Sequence, residues 1–285
     1  MHQHDNANHH KKNAALGSVC AAFGLVSLKI IVGLATGSLG LLAEAAHSGL
    51  DFAAAAVTFF AVRESAKPAD HEHLYGHGKI ESLSALFETL LLLITCFWII
   101  HASVTRLISN RVEIEVNIFS YLVIITSIIV DVSRSRILYK VAKKYNSEAL
   151  EADALHFSTD IWSSLVVLVG LVCVSLSSMI KGADFLRYAD AIAALMVAGI
   201  VVTICWDLGS RTIGSLLDRA PAGLKEKIIA RVEQIPGVYN CHRLRIRTSG
   251  PQIFIDLPFT MDRSQPLQQA QRLKQPFTPW QPIPT

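Results

Sequence analysis

Long apolar stretches dominate the first three quarters of the chain and ordinary mixed sequence fills the last quarter. Six apolar runs fall at roughly 14–34, 40–62, 81–104, 117–138, 150–178 and 188–208. Each is near or above the roughly 20 residues that a helix needs to cross a bilayer. The pattern predicts an all-α membrane protein with a bundle of six transmembrane helices. After about Gly209 the pattern changes. PAGLKEKIIARVEQIPG reads as an amphipathic helix ended by Pro236 and Gly237, and NCHRLRIRTSGPQIFIDLPF alternates on both sides of a Ser249-Gly250-Pro251 turn, which predicts a two-stranded hairpin. QPLQQAQRLKQ begins a second helix, and Pro276, Pro279, Pro282 and Pro284 forbid its continuation. The expected organisation is a His-containing tail over 1–13, a six-helix transmembrane domain over 14–209, a small α/β domain over 210–275 and a Pro-rich terminus over 276–285.

Composition supports this reading: 51% of the 285 residues are hydrophobic and 17% are charged, against about 25% charged in soluble domains. The first run lacks a small-residue cleavage site and is expected to stay as a span rather than be removed as a signal peptide. Lys and Arg near the ends of the runs divide unequally. Lys11, Lys12, Arg63, Lys67, Lys79, Arg134, Arg136, Lys140, Lys143 and Lys144 lie on one side, while Arg106, Arg111, Lys181 and Arg187 lie on the other. Cytoplasmic loops carry the excess, so both termini are expected in the cytoplasm. Topology accounts for the basic residues, and a net charge of +3 gives no reason to invoke nucleic acid. The five cysteines are scattered with no CxxC pair and read as small buried apolar residues.

Against this background AEAAHSGLDFAAAAV is anomalous, because it places Glu44, His47 and Asp51 inside an apolar run. Residues three and four apart share one helix face, so the three form a stripe among alanines that let other helices approach. EADALHFSTDIW repeats the device with Asp153, His156 and Asp160. Ionisable groups within a membrane are costly and usually serve a site. Two imidazoles and two carboxylates, one pair from each helix, suit a tetrahedral divalent ion such as zinc; magnesium and calcium prefer oxygen alone. Glu44 and Asp153, one turn before each His, could line an access path, orient the imidazoles or sit solvated at the interface. No HExxH pairing occurs, and no nucleophile or general base stands at a suitable spacing, so an enzyme is not expected. Metal binds neutral His and ionised Asp, which makes protons its direct competitors and metal-proton exchange the natural coupling.

Two polar segments remain. Asp70, His73 and His77 in the loop after the second run suit either a three-ligand metal set or a wet loop, and His71 and Glu72 beside them are weaker candidates. His2, His4, His9 and His10 make the tail either a weak metal trap or a solvated segment.

HSGLD, HFSTD, the loop PADHEHLYGHGKIESL and the segment LLDRA together resemble the cation diffusion facilitator family of divalent-metal transporters, over roughly residues 14–275. The resemblance implies a six-helix bundle with a cytoplasmic metallochaperone-like domain, a homodimer, and metal/proton exchange by alternating access. It makes His47, Asp51, His156 and Asp160 the transport site, and Asp70, His73 and His77 a second, cytoplasm-facing site. It pairs Lys79 with Asp218 in a salt bridge at the junction of the two parts, and it matches His242 to a ligand of a binuclear cytoplasmic site. In that site Pro258 replaces an expected histidine and the Pro-rich terminus replaces the final strand, so the domain looks truncated and the site incomplete.

The expected activity is export of Zn2+ across the inner, cytoplasmic membrane in exchange for protons. The metal is substrate, no organic cofactor is implied, and the partners are metal ions, protons, the lipid bilayer and a second copy of the chain. Alternatives are transport of Cd2+, Co2+, Ni2+ or Fe2+, or a non-transporting metal sensor or regulatory subunit.

Overall fold

A computed structural model describes residues 2–37, 39–109, 118–177, 186–234, 238–241 and 243–261. Six long helices come first: α1 His2–Thr36, α2 Leu39–Ser65, α3 Lys79–Ser109, α4 Ile118–Tyr145, α5 Glu148–Ser177 and α6 Leu186–Leu216. Four of them, α1, α2, α3 and α6, are long and apolar enough among the described residues to cross a membrane. In α4 the charged residues Asp131, Arg134, Arg136, Lys140, Lys143 and Lys144 break up the apolar sequence.

Turn chemistry explains the helix ends. Gly37 adopts φ 66° between α1 and α2, and Asn146 adopts φ 49° between α4 and α5, a left-handed conformation that Gly and Asn tolerate best. Glu148 and Glu151 fall in the first turn of α5, where the positive end of the helix dipole favours them.

Within this bundle α1 packs on α2, α3 on α6 and α4 on α5, and α5 also touches α2, α3 and α6. Small residues permit these contacts: Ala15, Ala55, Ala142, Ala149 and Ala154 surround Val62, Leu138, Leu150 and Phe157 in the largest apolar cluster. Cys96 and Cys205 pack with Leu92 and Val201 between α3 and α6, the apolar role expected of cysteine here, whereas Cys20 is exposed. The outer faces carry Phe23, Ile31, Phe97, Trp98 and Trp206, each more than half exposed, which suits a surface bathed in lipid.

Two expectations about the ends of this unit change. The His-containing tail is the start of α1: His9 and His10 are exposed, while Lys11 is buried with its Nζ 2.5 Å from Glu81 Oε1. Glu81 also accepts from Ser65 Oγ at 2.7 Å and from Ser147 Oγ, so α1, α2, α3 and the α4–α5 turn meet at one carboxylate. At the other end α6 continues to Leu216, beyond the last apolar run.

A second compact unit begins at Asp218. It holds α7 Leu224–Val232 and the strands β1 Val238–Cys241, β2 Arg245–Ser249, β3 Gln252–Asp256 and β4 Phe259–Met261. β1 pairs antiparallel with β4, Val238 opposite Met261 and Cys241 opposite Phe259, and β2 pairs with β3 across the expected turn. Ile228 and Val232 of α7 pack on Ile246 with Leu224, Leu244, Ile255 and Leu257. Pro258 is exposed between β3 and β4, where its missing N–H interrupts no ladder. The second helix and the Pro-rich terminus lie outside the described residues.

Candidate metal site

The two polar stripes of the sequence face each other where α2 packs on α5. His156 Nε2 lies 3.2 Å from Asp51 Oδ1 and 3.5 Å from Asp160 Oδ2. Asp51, His156 and Asp160 each offer a ligand atom within 4.8 Å of the others. His47 stands at the rim: its Nε2 is 4.0 Å from Asp51 Oδ1 and its side chain is 38% exposed, against 7% for His156. The structure thus brings three of the four sequence candidates into one cluster and leaves the fourth one step away. Because one ring nitrogen faces two carboxylates, the cluster can hold a proton on that nitrogen or a cation among the three groups, but not both there.

A cavity of about 70 Å³ borders His47, Asp51 and Asp160. Glu44, Lys29, Asp131 and Arg134 share its lining with His47, Asp51 and Asp160. Glu44, which the sequence left as a path residue, a positioner or a solvated group, is 3.2 Å from the buried Lys29 Nζ. Asp153 is not solvated at an interface. It is buried, accepting from Ser18 Oγ at 3.2 Å, and Ser18 in turn accepts from Arg134 Nη2 at 3.0 Å.

Sequence reasoning missed several members of this interior network. Arg134, counted as a topological loop charge, is buried, bonded to Asp131 at 3.3 Å and stacked 3.5 Å above the Phe157 ring. Glu88 of α3 is fully buried and accepts the Thr58 hydroxyl, two helical turns from Asp51 on α2. Lys29, Glu88 and Asp131 were visible as charges inside apolar runs, the signal that singled out Glu44, His47 and Asp51.

The loop candidates also converge. His73 Nδ1 is 3.2 Å from Asp70 Oδ1, His77 Nε2 is 3.4 Å from Asp70 Oδ2, and the two rings lie 4.4 Å apart. Asp70 Oδ1 accepts the backbone N–H groups of His73 at 2.6 Å and Glu72 at 3.0 Å, a local turn that fixes the carboxylate before any metal arrives. Those bonds, that of the His73 N–H first, hold the Asp70 carboxyl below its ordinary value near 3.8. His71 and Glu72 are exposed and lie outside the cluster. Lys79 donates to the Leu216 carbonyl at 3.1 Å, Asp218 adopts φ 59°, and His242 lies outside the described residues.

Comparison with known proteins identifies the family. The sequence profile of the cation efflux transmembrane domain matches residues 15–217, and that of the cation efflux protein cytoplasmic domain matches residues 221–275. The chain is 34% identical over 265 residues to the cation-efflux pump FieF of Serratia proteamaculans, covering 92% of this chain and 85% of that protein. It is 34% identical over 262 residues to the pump of the same name from Yersinia pestis, covering 91% and 84%. A Salmonella agona counterpart is 33% identical over 264 residues, covering 90% and 83%. A membrane bundle with acidic and imidazole groups converging inside it, and profile matches to both parts of the chain, lead to one conclusion: the chain belongs to the cation efflux, or cation diffusion facilitator, family, whose members are transporters rather than enzymes.

Proposed function

We propose that this chain exports divalent metal ions, Zn2+ foremost, in exchange for protons. The observation that carries the reading is the convergence of Asp51, His156 and Asp160 at the α2–α5 contact. In the metal-free protein His156 Nε2 shares a proton with the carboxylates beside it. An arriving ion takes the lone pair of that nitrogen and one oxygen from each Asp, and the displaced proton leaves; His47 swings from the rim to complete four ligands. Reprotonation after release resets the cluster. Imidazole with carboxylate suits zinc and also admits Co2+, Ni2+, Cd2+ and Fe2+, and the relatives are named as cation-efflux pumps without a stated metal.

Further readings rest on the same family assignment. Asp70, His73 and His77 form a second metal site on the cytoplasmic side, and Lys79 with Asp218 positions the domain junction. The cytoplasmic domain pairs two copies as a homodimer in the inner, cytoplasmic membrane, both termini inside, and His242 is its metal-ligand candidate.

Zinc flux into proteoliposomes under an imposed pH gradient tests the proposal. Flux that follows the gradient and disappears in Asp51→Ala and Asp160→Ala is expected. Flux indifferent to the gradient would refute exchange, and zinc binding with no flux in the wild type would favour the sensor reading.

A further inference from the structure

Lys29 is the only charged residue between Lys12 and Glu44. It sits in α1 seven residues before Thr36, which places it about 10 Å along the axis from the helix end. Lysines in that position commonly extend toward water at the interface, but this one turns inward. The residue is 5% exposed, and its ammonium lies 2.8 Å from Ser48 Oγ and 3.2 Å from Glu44 Oε2. Ser48 and Glu44 are four residues apart on α2 and flank His47. The same cavity is lined by Lys29, His47, Asp51, Asp131 and Asp160. A lysine ammonium therefore shares the lining of a site suited to cations.

As helix glue this arrangement would be costly, since desolvating an ammonium consumes much of what an ion pair returns and a neutral residue would pack α1 on α2 without it. As part of the site it has a specific consequence. A fixed cation repels a divalent ion with twice the force it exerts on a proton, in a cavity where screening is weak. It also occupies Glu44, the one other carboxylate of the α2 stripe.

We propose that Lys29 is a tethered competitor cation that lowers the affinity of the site for divalent metal, and so favours release of the ion over its recapture. The proposal rests on Asp51, His156 and Asp160 being the transport site. It makes Lys29 an affinity-determining residue that never ligates the metal, and it assigns Glu44 the task of holding that charge in place.

Opposite signs in two single variants test this. Zinc binding to the full-length detergent-solubilised protein is measured by calorimetry, and zinc flux in vesicles alongside it. Lys29→Met is expected to bind zinc at least about tenfold more tightly and to turn over more slowly at saturating zinc. Glu44→Gln, which leaves the ammonium free to act on Asp51, is expected to bind more weakly, and Lys29→Arg to behave as wild type. Should Lys29→Met fail to fold, Lys29→Gln keeps a donor for Ser48 and Glu44 and carries the same expected tightening. A merely structural ion pair would move the Lys29 and Glu44 variants in the same direction, and equal or weaker binding in Lys29→Met or Lys29→Gln would overturn the proposal. Failure of the site assignment itself reads differently: Asp51→Ala would then bind zinc as wild type does.

Discussion

The chain presents the same donor chemistry twice, in two environments. Asp51, His156 and Asp160 lie inside the bundle with side-chain exposures of 14%, 7% and 18%, whereas in the loop Asp70 and His73 are 51% and 54% exposed and only His77, at 12%, is covered. In the loop, water can solvate the charges, and backbone N–H groups alone suffice to fix Asp70. In the bundle the side chains are largely covered, so each leans on a partner in protein, proton or metal. Under the proposed function, burial is what turns a binding cluster into an exchange cluster: the exposed site can remain empty at little cost, and the buried one trades one cation for another.

The largest expected effect separates the two clusters outright. Asp160→Ala should reduce metal flux to background, while His73→Ala should leave it within about threefold, because an exposed auxiliary ligand contributes little to an ion held elsewhere; equal losses in vesicle flux would erase the distinction. A third cluster sharpens it, being buried but without metal-ligand geometry. Glu81→Ala should strip the partner from buried Lys11 and cost about 3–5 kcal/mol of stability, read by thermal unfolding in detergent, with zinc affinity of the folded fraction unchanged. His47→Ala should weaken zinc binding by only about tenfold, since loss of a rim ligand falls at the low end of what supporting groups contribute. Titration calorimetry on the purified protein checks this.

The smallest effect concerns acid. The Asp70 carboxyl is held below its ordinary value near 3.8, so it is ionised in the folded loop before it would be in the unfolded chain. Whatever this bond set lends to the loop is therefore fully present above pH 4, and is lost only as pH falls through the depressed folded value. The Asp70 side-chain carboxyl carbon should show no titration step of its own between pH 8 and 5, read by its 13C chemical shift. Asp70→Asn, which still accepts the two N–H groups, should keep the turn while weakening loop-site zinc.

Much of the site was legible before any coordinates, because helical spacing alone puts His47 beside Asp51 and His156 beside Asp160. Spacing within a helix says nothing about which other helix its face meets. For that reason Lys29 and Glu44 could not be paired from sequence, and Asp153 could not be known to bond Ser18. Counting basic residues for topology treated Arg134 and Lys11 as interchangeable with loop charges, yet both are buried in specific partnerships. The fold was readable where one physical signal dominated, as in the apolar runs and the Ser249-Gly250 turn. It was not readable where long-range packing chose among several polar partners.

Simultaneous recording of zinc and proton movement in the same proteoliposomes tests the central claim most directly. Zinc entering through the wild-type protein should be matched by protons leaving in constant ratio, and both signals should vanish together in Asp160→Asn. Zinc movement with no accompanying proton signal, or zinc movement that persists in Asp160→Asn, would contradict the account.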